Sequence, residues 1–309
     1  MSWLQVVSYM AILFFMVFVA ARIIRIARMP VHLRWDLYPI PHERGKSRYG
    51  GSYFEEVDWW AKPKAFSLPG EIKEMAKEII FIQSVFHHNR VLWIFSFPFH
   101  IGMYCLIGMA SFALLGAIIN LAGGTVSVSA GGLGLLVHVL TIILGTIGWS
   151  LSAYGAIGLF LMRLGKHDLK QATVFSDFVN LLFLLAVFVT GIIAWFLVDP
   201  IYETMRGFLQ SLISFSALPP LPQAIAVNLW ITAALLFYFP FTHMTHMFGK
   251  YFTYHKVRWE DEPNTRGGHI EKTVSQYFGY RLNWSAPHIK AGSTWAEAAA
   301  TTGEEKKDE

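Results

Sequence analysis

The sequence has little charge and almost no cysteine. Of its 309 residues, 54% are hydrophobic and only 15% are charged, whereas soluble domains carry about 25% charged residues. This composition excludes an ordinary soluble enzyme, and the high apolar fraction excludes a chain that is disordered throughout. The single cysteine, Cys105, forms no intrachain disulfide. It also cannot hold a structural zinc ion or an iron–sulfur cluster, since both need several thiolate or imidazole ligands.

Charge is absent from long stretches of the chain. The 72 residues 91–162 contain no Asp, Glu, Lys or Arg. Because a membrane span needs ~20 apolar residues, this stretch predicts two helices joined by the glycine-rich turn 120–132. Other uncharged runs cover 3–21, 178–198 and 207–249, and the prolines of 219–222 interrupt the last one. The sequence therefore predicts an all-α membrane protein with five transmembrane helices, numbered one to five: roughly 3–24, 91–119, 133–162, 175–198 and 224–250. The short run 207–217 is expected to lie at the membrane interface.

The basic residues predict the orientation of these helices. Of the 25 Lys and Arg, 24 lie in 22–90, in 163–174 or in the tail from Lys250, all on one side of the membrane, and the exception is Arg206. By the positive-inside rule that side is the cytoplasm. We therefore expect the N-terminus outside, the C-terminus in the cytoplasm, and a multi-pass protein of the inner (plasma) membrane. The net charge of +4 is then a topology signal, so we expect contact with membrane lipid and none with nucleic acid.

Four histidines are the only ionisable residues predicted deep inside the membrane: His100, His138, His243 and His246. Such residues are costly in a bilayer and usually functional. Without a mid-membrane carboxylate or lysine, the pattern argues against ion-coupled transport, whereas neutral imidazole is an axial ligand of haem iron. His100 on helix two and His246 on helix five lie at similar depth in the cytoplasmic half. These two antiparallel helices are therefore predicted to clamp one haem b, with His100 and His246 as the metal ligands.

The other two histidines leave alternatives open. His243, about one turn before His246, is either a competing ligand or a neighbour that bonds a haem propionate. His138, near the outer end of helix three, has either a structural role or a contact with a quinone. Small residues such as Gly102 predict room for the flat cofactor, or else close packing of helices.

The predicted domain organisation has two membrane parts and two cytoplasmic parts. Residues 1–27 form transmembrane helix one, and 91–252 form a four-helix haem-binding membrane domain. The aromatic cytoplasmic insert 28–90 is either an interfacial belt or a docking surface for a soluble partner. The tail 253–309 is cytoplasmic, and disorder is expected in its last part from Ser293.

Two motifs resemble the gamma subunit of respiratory nitrate reductase: Phe99-His-Ile-Gly-Met103, and Phe239-Pro-Phe-Thr-His-Met-Thr-His246. That family is a five-helix, N-out, di-haem b quinol oxidase. The resemblance implies that His100 and His246 hold the inner haem. The family's outer haem ligands fall on Ala110 and Asn228, neither of which ligates as histidine does. We therefore predict one haem b, with a second left open through His138, and with Met109 as a conceivable further ligand.

The insert carries a second resemblance. Trp35–His42 and Gly50–Trp59 are similar to the insert of cytochrome b subunits in membrane redox complexes of sulfate reducers. Those subunits sit beside an iron–sulfur protein resembling heterodisulfide reductase. The predicted function is a membrane cytochrome b subunit that transfers electrons between a menaquinone-type pool and a cytoplasmic iron–sulfur subunit. It would serve as the quinol oxidoreductase subunit of a respiratory complex, and no catalytic residue is assigned. The alternative is a redox-inert membrane anchor or transporter-like scaffold with structural histidines.

Overall fold

A computed structural model describes residues 1–28, 56–62, 67–171, 173–252, 264–287 and 289–300. Five helices in it are long and apolar enough to cross a membrane, which confirms the predicted all-α fold with five spans. They correspond to predicted helices one to five and are labelled in chain order: α1 (Trp3–Ala27), α2 (Arg90–Leu121), α3 (Gly132–Gly165), α4 (Phe175–Ile192) and α5 (Gln223–Tyr238).

Glycines form the turn between α2 and α3, and helix four extends beyond α4. The α2–α3 connection contains Gly123, Gly131 and Gly132 at φ 84°, 66° and 50°, a left-handed region that glycine adopts without a Cβ clash. α4 continues as a π-helical segment, Ile193–Val198. Helix four therefore spans to residue 198 as predicted.

Helix five differs from the continuous helix predicted over 224–250. α5 ends at Tyr238, and the chain continues as two single 3-10 turns, Phe239–Phe241 and His243–Thr245, before a short helix, His246–Lys250. Pro240 has no N–H to donate to the preceding turn. Thr242 is extended, at φ −96° and ψ 166°. His243 and His246 thus lie beyond the break, not on one regular helical face.

Glycines bring α2 and α3 into backbone contact. A Cβ at Gly155 would lie 2.6 Å from the backbone nitrogen of Phe99, and a Cβ at Gly148 would lie 3.0 Å from that of Leu106. Small residues of this kind let transmembrane helices approach closely. The main core lies against this pair and is rich in large side chains: Met109, Trp149, Phe188, Trp195, Tyr202 and Ile225.

The short segment before helix five is a helix, Glu203–Ile213, that begins earlier than the predicted 207–217. Its Phe208 and Leu212 pack against Leu4 of α1. Tyr9 of α1 donates its hydroxyl to the carbonyl oxygen of Leu212 at 2.6 Å. This helix therefore ties the start of α1 to the connection between α4 and α5.

Helices also flank the spans. Leu68–Phe81 and Gln83–His88 precede α2. Near the C-terminus His269–Phe278 and Trp295–Ala300 are helical. Trp35–His42 and most of Gly50–Trp59 lie outside the described residues.

Contacts divide the chain into two compact units, Met1–Arg22 with Pro69–His246 and Ile23–Leu68 with Met247–Glu309.

The C-terminal helix begins with a reciprocal cap. Thr294 donates its backbone N–H to the carboxylate of Glu297 at 2.7 Å, and the backbone N–H of Glu297 donates to the Thr294 hydroxyl at 3.2 Å. This pattern is a capping box, which satisfies two N–H groups that the helix itself cannot. The hydrogen bond from the Thr294 backbone also lowers the pKa of Glu297. The cap gives a physical reason for order at 293–300.

Candidate functional site

His100 projects from the first half of α2 and is held by its own helix. Its Nδ1 lies 2.7 Å from the carbonyl oxygen of Ser96, one turn earlier. An imidazole that donates from Nδ1 to a backbone carbonyl has its rotation restricted and presents Nε2 as the coordinating nitrogen. His100 is therefore oriented as a histidine ligand would be.

His246 is the first residue of the short helix beyond the break. The preceding turn is closed by Thr242, whose hydroxyl accepts the backbone N–H of Met244 at 3.1 Å. The carbonyl oxygen of Pro240 accepts a hydrogen bond from Arg22 of α1 at 2.8 Å. His246 Nδ1 lies 3.1 Å from the carbonyl oxygen of His243. As at His100, a backbone carbonyl engages Nδ1, so Nε2 is the ring nitrogen that would ligate a metal.

The structure brings His100 and His246 together. Their ring centroids are 6.2 Å apart and their planes are inclined at 73°. A metal–imidazole bond is ~2.0–2.1 Å long, and the ring centroid lies about 1 Å behind the bonded nitrogen. Two imidazoles on opposite sides of one metal would thus have centroids ~6 Å apart. The observed spacing of the two ring centroids agrees with that expected for a bis-imidazole site.

Such a pair is suited to haem and not to a bare metal ion. The described residues contain no group of three or more His, Cys, Asp or Glu that could hold a metal ion. A haem iron receives four nitrogens from the porphyrin and needs only axial ligands from the protein. Two opposed imidazoles therefore fit haem, whereas a structural zinc site needs four protein ligands.

His243 lies beside this pair, and its ring is engaged elsewhere. Its Nε2 is 3.3 Å from Oδ1 of Asp177 at the start of α4. Its Nδ1 is 3.4 Å from the amide nitrogen of Asn180, whose oxygen accepts the Tyr238 hydroxyl at 2.8 Å. Arg163 at the end of α3 lies 3.5 Å from the other carboxylate oxygen of Asp177. Sequence reasoning missed this network, although Asp177 is the only acidic residue in α4.

Gly102 lies two residues beyond His100, which places it on the opposite side of α2. A Cβ at Gly102 would overlap the backbone nitrogen and hydroxyl of Ser152 in α3. The missing side chain therefore allows α3 to touch α2 behind His100. The available space at Gly102 is used for helix packing.

His138 is buried near the other end of the bundle, with 4% of its surface exposed. Its Nδ1 has no hydrogen-bond partner among the residues that the structure describes. Arg206, the lone basic residue on this side, is also buried and contacts α2, where a Cβ at Gly116 would meet its Cδ at 2.9 Å. It donates to the carbonyl oxygen of Ile201 at 2.9 Å, and burial lowers its pKa.

The two positions that match the family's outer haem ligands are far from equivalent in this fold. Ala110 is exposed on α2. Asn228 is buried in α5, and its amide nitrogen donates to the Val187 carbonyl and to the Thr190 hydroxyl, each at 3.0 Å. Its oxygen accepts the indole N–H of Trp195 at 3.0 Å. Asn228 therefore joins α5 to α4.

Large side chains fill the space around Asn228. Trp195 stacks on Tyr202 with ring centroids 5.6 Å apart, and both are 1% exposed. Gly145 lets the Tyr202 hydroxyl approach the backbone of α3, where a Cβ would overlap it. Met109 and Trp149 belong to the same buried cluster. Sequence reasoning missed this aromatic filling, because in a membrane protein tryptophan and tyrosine are common and carry no specific signal.

A multi-pass helical bundle with two neighbouring imidazoles, each with its Nδ1 at a backbone carbonyl, has the features of a membrane cytochrome. Comparison with protein families agrees, since the family model described as nitrate reductase gamma subunit matches residues 82–260. The chain belongs to this family, and the resemblance of its two histidine motifs to the gamma subunit is confirmed. It is therefore a membrane cytochrome b subunit of an electron-transfer system, in a haem-containing family that works with quinone and other redox subunits. No curated protein and no solved structure matches the chain.

Proposed function

We propose that this chain transfers electrons between a menaquinone-type quinone pool and a cytoplasmic iron–sulfur partner. The observation that carries the proposal is the 6.2 Å spacing of His100 and His246. A haem b bound there would supply the one-electron chemistry. The chain has a single cysteine, so an iron–sulfur centre next in the pathway belongs to another subunit.

The two ligands in this proposal are His100 and His246. Each Nδ1 is engaged by a backbone carbonyl, at 2.7 Å and 3.1 Å, and each Nε2 would be the nitrogen that ligates a bound haem iron. This arrangement restricts both rings before the cofactor binds, which lowers the entropy lost on binding. Gly102 contributes indirectly, because the helix contact that it allows supports α2 behind His100.

We propose one haem per chain, in the cytoplasmic half of the bundle. A second haem would need two ligands and a flat cavity in the outer half. There Asn228 is committed to three hydrogen bonds, and the Trp195–Tyr202 stack is almost fully buried. His138 is the only histidine predicted in the outer half, and it has no imidazole partner there for a bis-histidine haem.

His138 supports a quinone contact. A buried polar atom without a partner costs ~1–3 kcal/mol, and His138 Nδ1 is such an atom. A quinone carbonyl that accepted a hydrogen bond from it would remove this cost. The nearby Arg206 adds a buried positive charge that also favours an electron-rich oxygen.

The orientation and the partner are proposed from the distribution of charge. With 24 of 25 basic residues on one side, the N-terminus lies outside and the C-terminus in the cytoplasm of the inner membrane. The haem-binding domain is 91–252, and residues 28–90 and the tail 253–309 face the cytoplasm. Insert 28–90 docks an iron–sulfur subunit that resembles heterodisulfide reductase, as in the sulfate-reducer complexes that its sequence resembles.

The test of this proposal is the absorbance spectrum of the purified protein and its histidine variants. We expect the wild type to show a low-spin bis-histidine haem b spectrum, and His100→Ala and His246→Ala to lose it. His87→Ala is the matched control, because His87 is exposed in the helix Gln83–His88, and it should keep the spectrum.

Two outcomes would contradict the proposal. A wild-type protein without haem would support the alternative of a redox-inert anchor or transporter-like scaffold, in which the histidines only make hydrogen bonds. Retention of the low-spin spectrum in His246→Ala would show that the ligand on this segment is His243.

A further inference from the structure

The segment that carries His246 is not part of a continuous transmembrane helix. α5 ends at Tyr238, and Thr242 is extended between the two 3-10 turns. Within a helix, the i to i−4 hydrogen bonds would fix the direction of His246. Beyond the break the backbone hydrogen bonds are of the shorter 3-10 type, such as the one from the His246 N–H to the His243 carbonyl oxygen. Side-chain contacts therefore help to determine where this segment lies.

The contact from α4 is made through the His243 side chain. Its Nε2 lies 3.3 Å from Oδ1 of Asp177. The Asp177 carboxylate is itself fixed, because its other oxygen accepts the backbone N–H of Val174 at 3.1 Å and lies 3.5 Å from Arg163. Asp177 is buried. The acid thus links the ends of α3 and α4 to the segment beyond α5.

The donors and acceptors of this network are mutually consistent. The Tyr238 hydroxyl donates to the Asn180 oxygen at 2.8 Å, which leaves the Asn180 amide facing His243 Nδ1 at 3.4 Å. His243 Nδ1 then accepts, and its Nε2–H donates to Asp177. This arrangement assigns one neutral tautomer to His243.

The same residue holds the proposed ligand through its backbone. The His243 carbonyl oxygen lies 3.1 Å from Nδ1 of His246. Partners of this kind determine the orientation of a metal-bound imidazole. If the His243 side chain is released, its carbonyl can move, and the His246 ring can rotate.

We infer that Asp177 is a positioning residue that acts through His243 to set the rotation of the His246 ring, and thereby the 73° angle between the two ligand planes. The inference rests on the proposed haem ligation by His100 and His246. Asp177 touches neither the iron nor its ligands in this account. Its effect is transmitted by one side-chain contact and one backbone carbonyl.

The angle between ligand planes can be measured in the ferric protein. Nearly perpendicular imidazoles interact with different iron d orbitals, and this gives a strongly anisotropic low-spin signal in electron paramagnetic resonance. The largest g value falls as the planes become parallel. A protein that is only less stable would lose signal intensity without a change in g value.

The experiment compares Asp177→Ala, His243→Leu and His243→Gln in the purified full-length protein. The first two remove the contact, whereas the Gln amide can still donate to Asp177. We expect full haem content in all three, a lower largest g value in the first two, and a signal close to wild type in His243→Gln. The double variant Asp177→Ala/His243→Leu should shift no further than either single variant, since both break one contact. Glu203→Gln is the control, because Glu203 is exposed at the start of another helix.

The haem content distinguishes a failure of the proposed function from a failure of the positioning role of Asp177. A wild type without haem overturns the proposed function itself. Full haem content with an unchanged g value in both Asp177→Ala and His243→Leu overturns only the positioning role. If Asp177→Ala fails to fold, the His243→Leu and His243→Gln pair decides the inference, because it leaves the Asp177–Arg163 contact intact.

Discussion

Replacement of Asn228 by Ala should destabilise the bundle more than a typical single substitution. Asn228 is 2% exposed and makes three side-chain hydrogen bonds to the chain of helix four, each 3.0 Å long. Hydrogen bonds between transmembrane helices contribute about 0.6 kcal/mol on average, so the three together contribute about 2 kcal/mol. The variant also leaves the buried indole N–H of Trp195 without its acceptor, which adds up to ~1–3 kcal/mol. We therefore expect a loss of ~3–5 kcal/mol in the free energy of unfolding.

A matched control is available on α2. The side-chain oxygen of Asn120 is buried and has no hydrogen-bond partner in the described part of the chain, so Asn120→Ala removes the same chemical group without breaking a described contact of that oxygen. We expect it to cost much less than Asn228→Ala. The assay is reversible unfolding in mixed micelles with increasing denaturing detergent, followed by far-ultraviolet circular dichroism. Equal destabilisation by the two substitutions would refute the reasoning that Asn228 serves as a helix-to-helix bond.

Three further predictions concern haem count, partner and pH. Restoration of the family's outer ligands in Ala110→His/Asn228→His should still give one haem per chain by the pyridine haemochrome assay, because Trp195 and Tyr202 fill the bundle around residue 228. A ratio of haem to protein near two, in the variant or in the wild type, would contradict the single-haem proposal. In the wild type that ratio would also indicate His138 as a ligand. Deletion of Tyr49 to Trp60 should release the iron–sulfur subunit and spare the haem spectrum, whereas co-purification of an unchanged complex would favour the interfacial-belt interpretation of the insert. Burial raises the pKa of Tyr202 to about 12, above the unfolded value of about 10, so the native state keeps this proton longer. The stability that Tyr202 contributes is therefore present below pH ~10 and is lost as the pH rises towards 12. Tyr202→Phe should lack this alkaline component of unfolding, and identical pH profiles for the two proteins would contradict the assignment.

The five spans could be predicted from the sequence because their signal is local. Uncharged runs such as 91–162 are long enough to determine helix number and approximate ends without knowledge of the packing. The candidate ligand pair was also accessible from the sequence, since His100 and His246 are rare histidines in apolar surroundings and their depth follows from the helical rise. The break in helix five had its signal in Pro240, but one proline does not show whether a transmembrane helix bends or stops.

The side-chain partners of the histidines were decided by tertiary structure. His243 and His246 are three residues apart and look equivalent in the sequence, yet His243 contacts Asp177 and Asn180 from α4, whereas His246 faces His100. Gly102 predicted either room for a cofactor or close packing of helices, and the tertiary structure places it against Ser152 of α3. Such distinctions depend on which helices are neighbours and how they are rotated, and the hydrophobic pattern of a membrane helix carries little of that information.

In the outer half of the bundle too, the sequence predicts which residues are present and the tertiary structure shows which of them are in contact. From the sequence, Ala110 and Asn228 indicate only that two ligand positions of the family are occupied by other residues. The tertiary structure shows what replaces the ligands: Asn228 bonds α5 to α4, and Trp195 and Tyr202 stack against it in the core. The sequence by itself determined the membrane class, the five helices and the candidate ligand pair, because each depends on local composition and spacing. Only the tertiary structure decided which polar groups meet, because those contacts join residues that are distant in the chain.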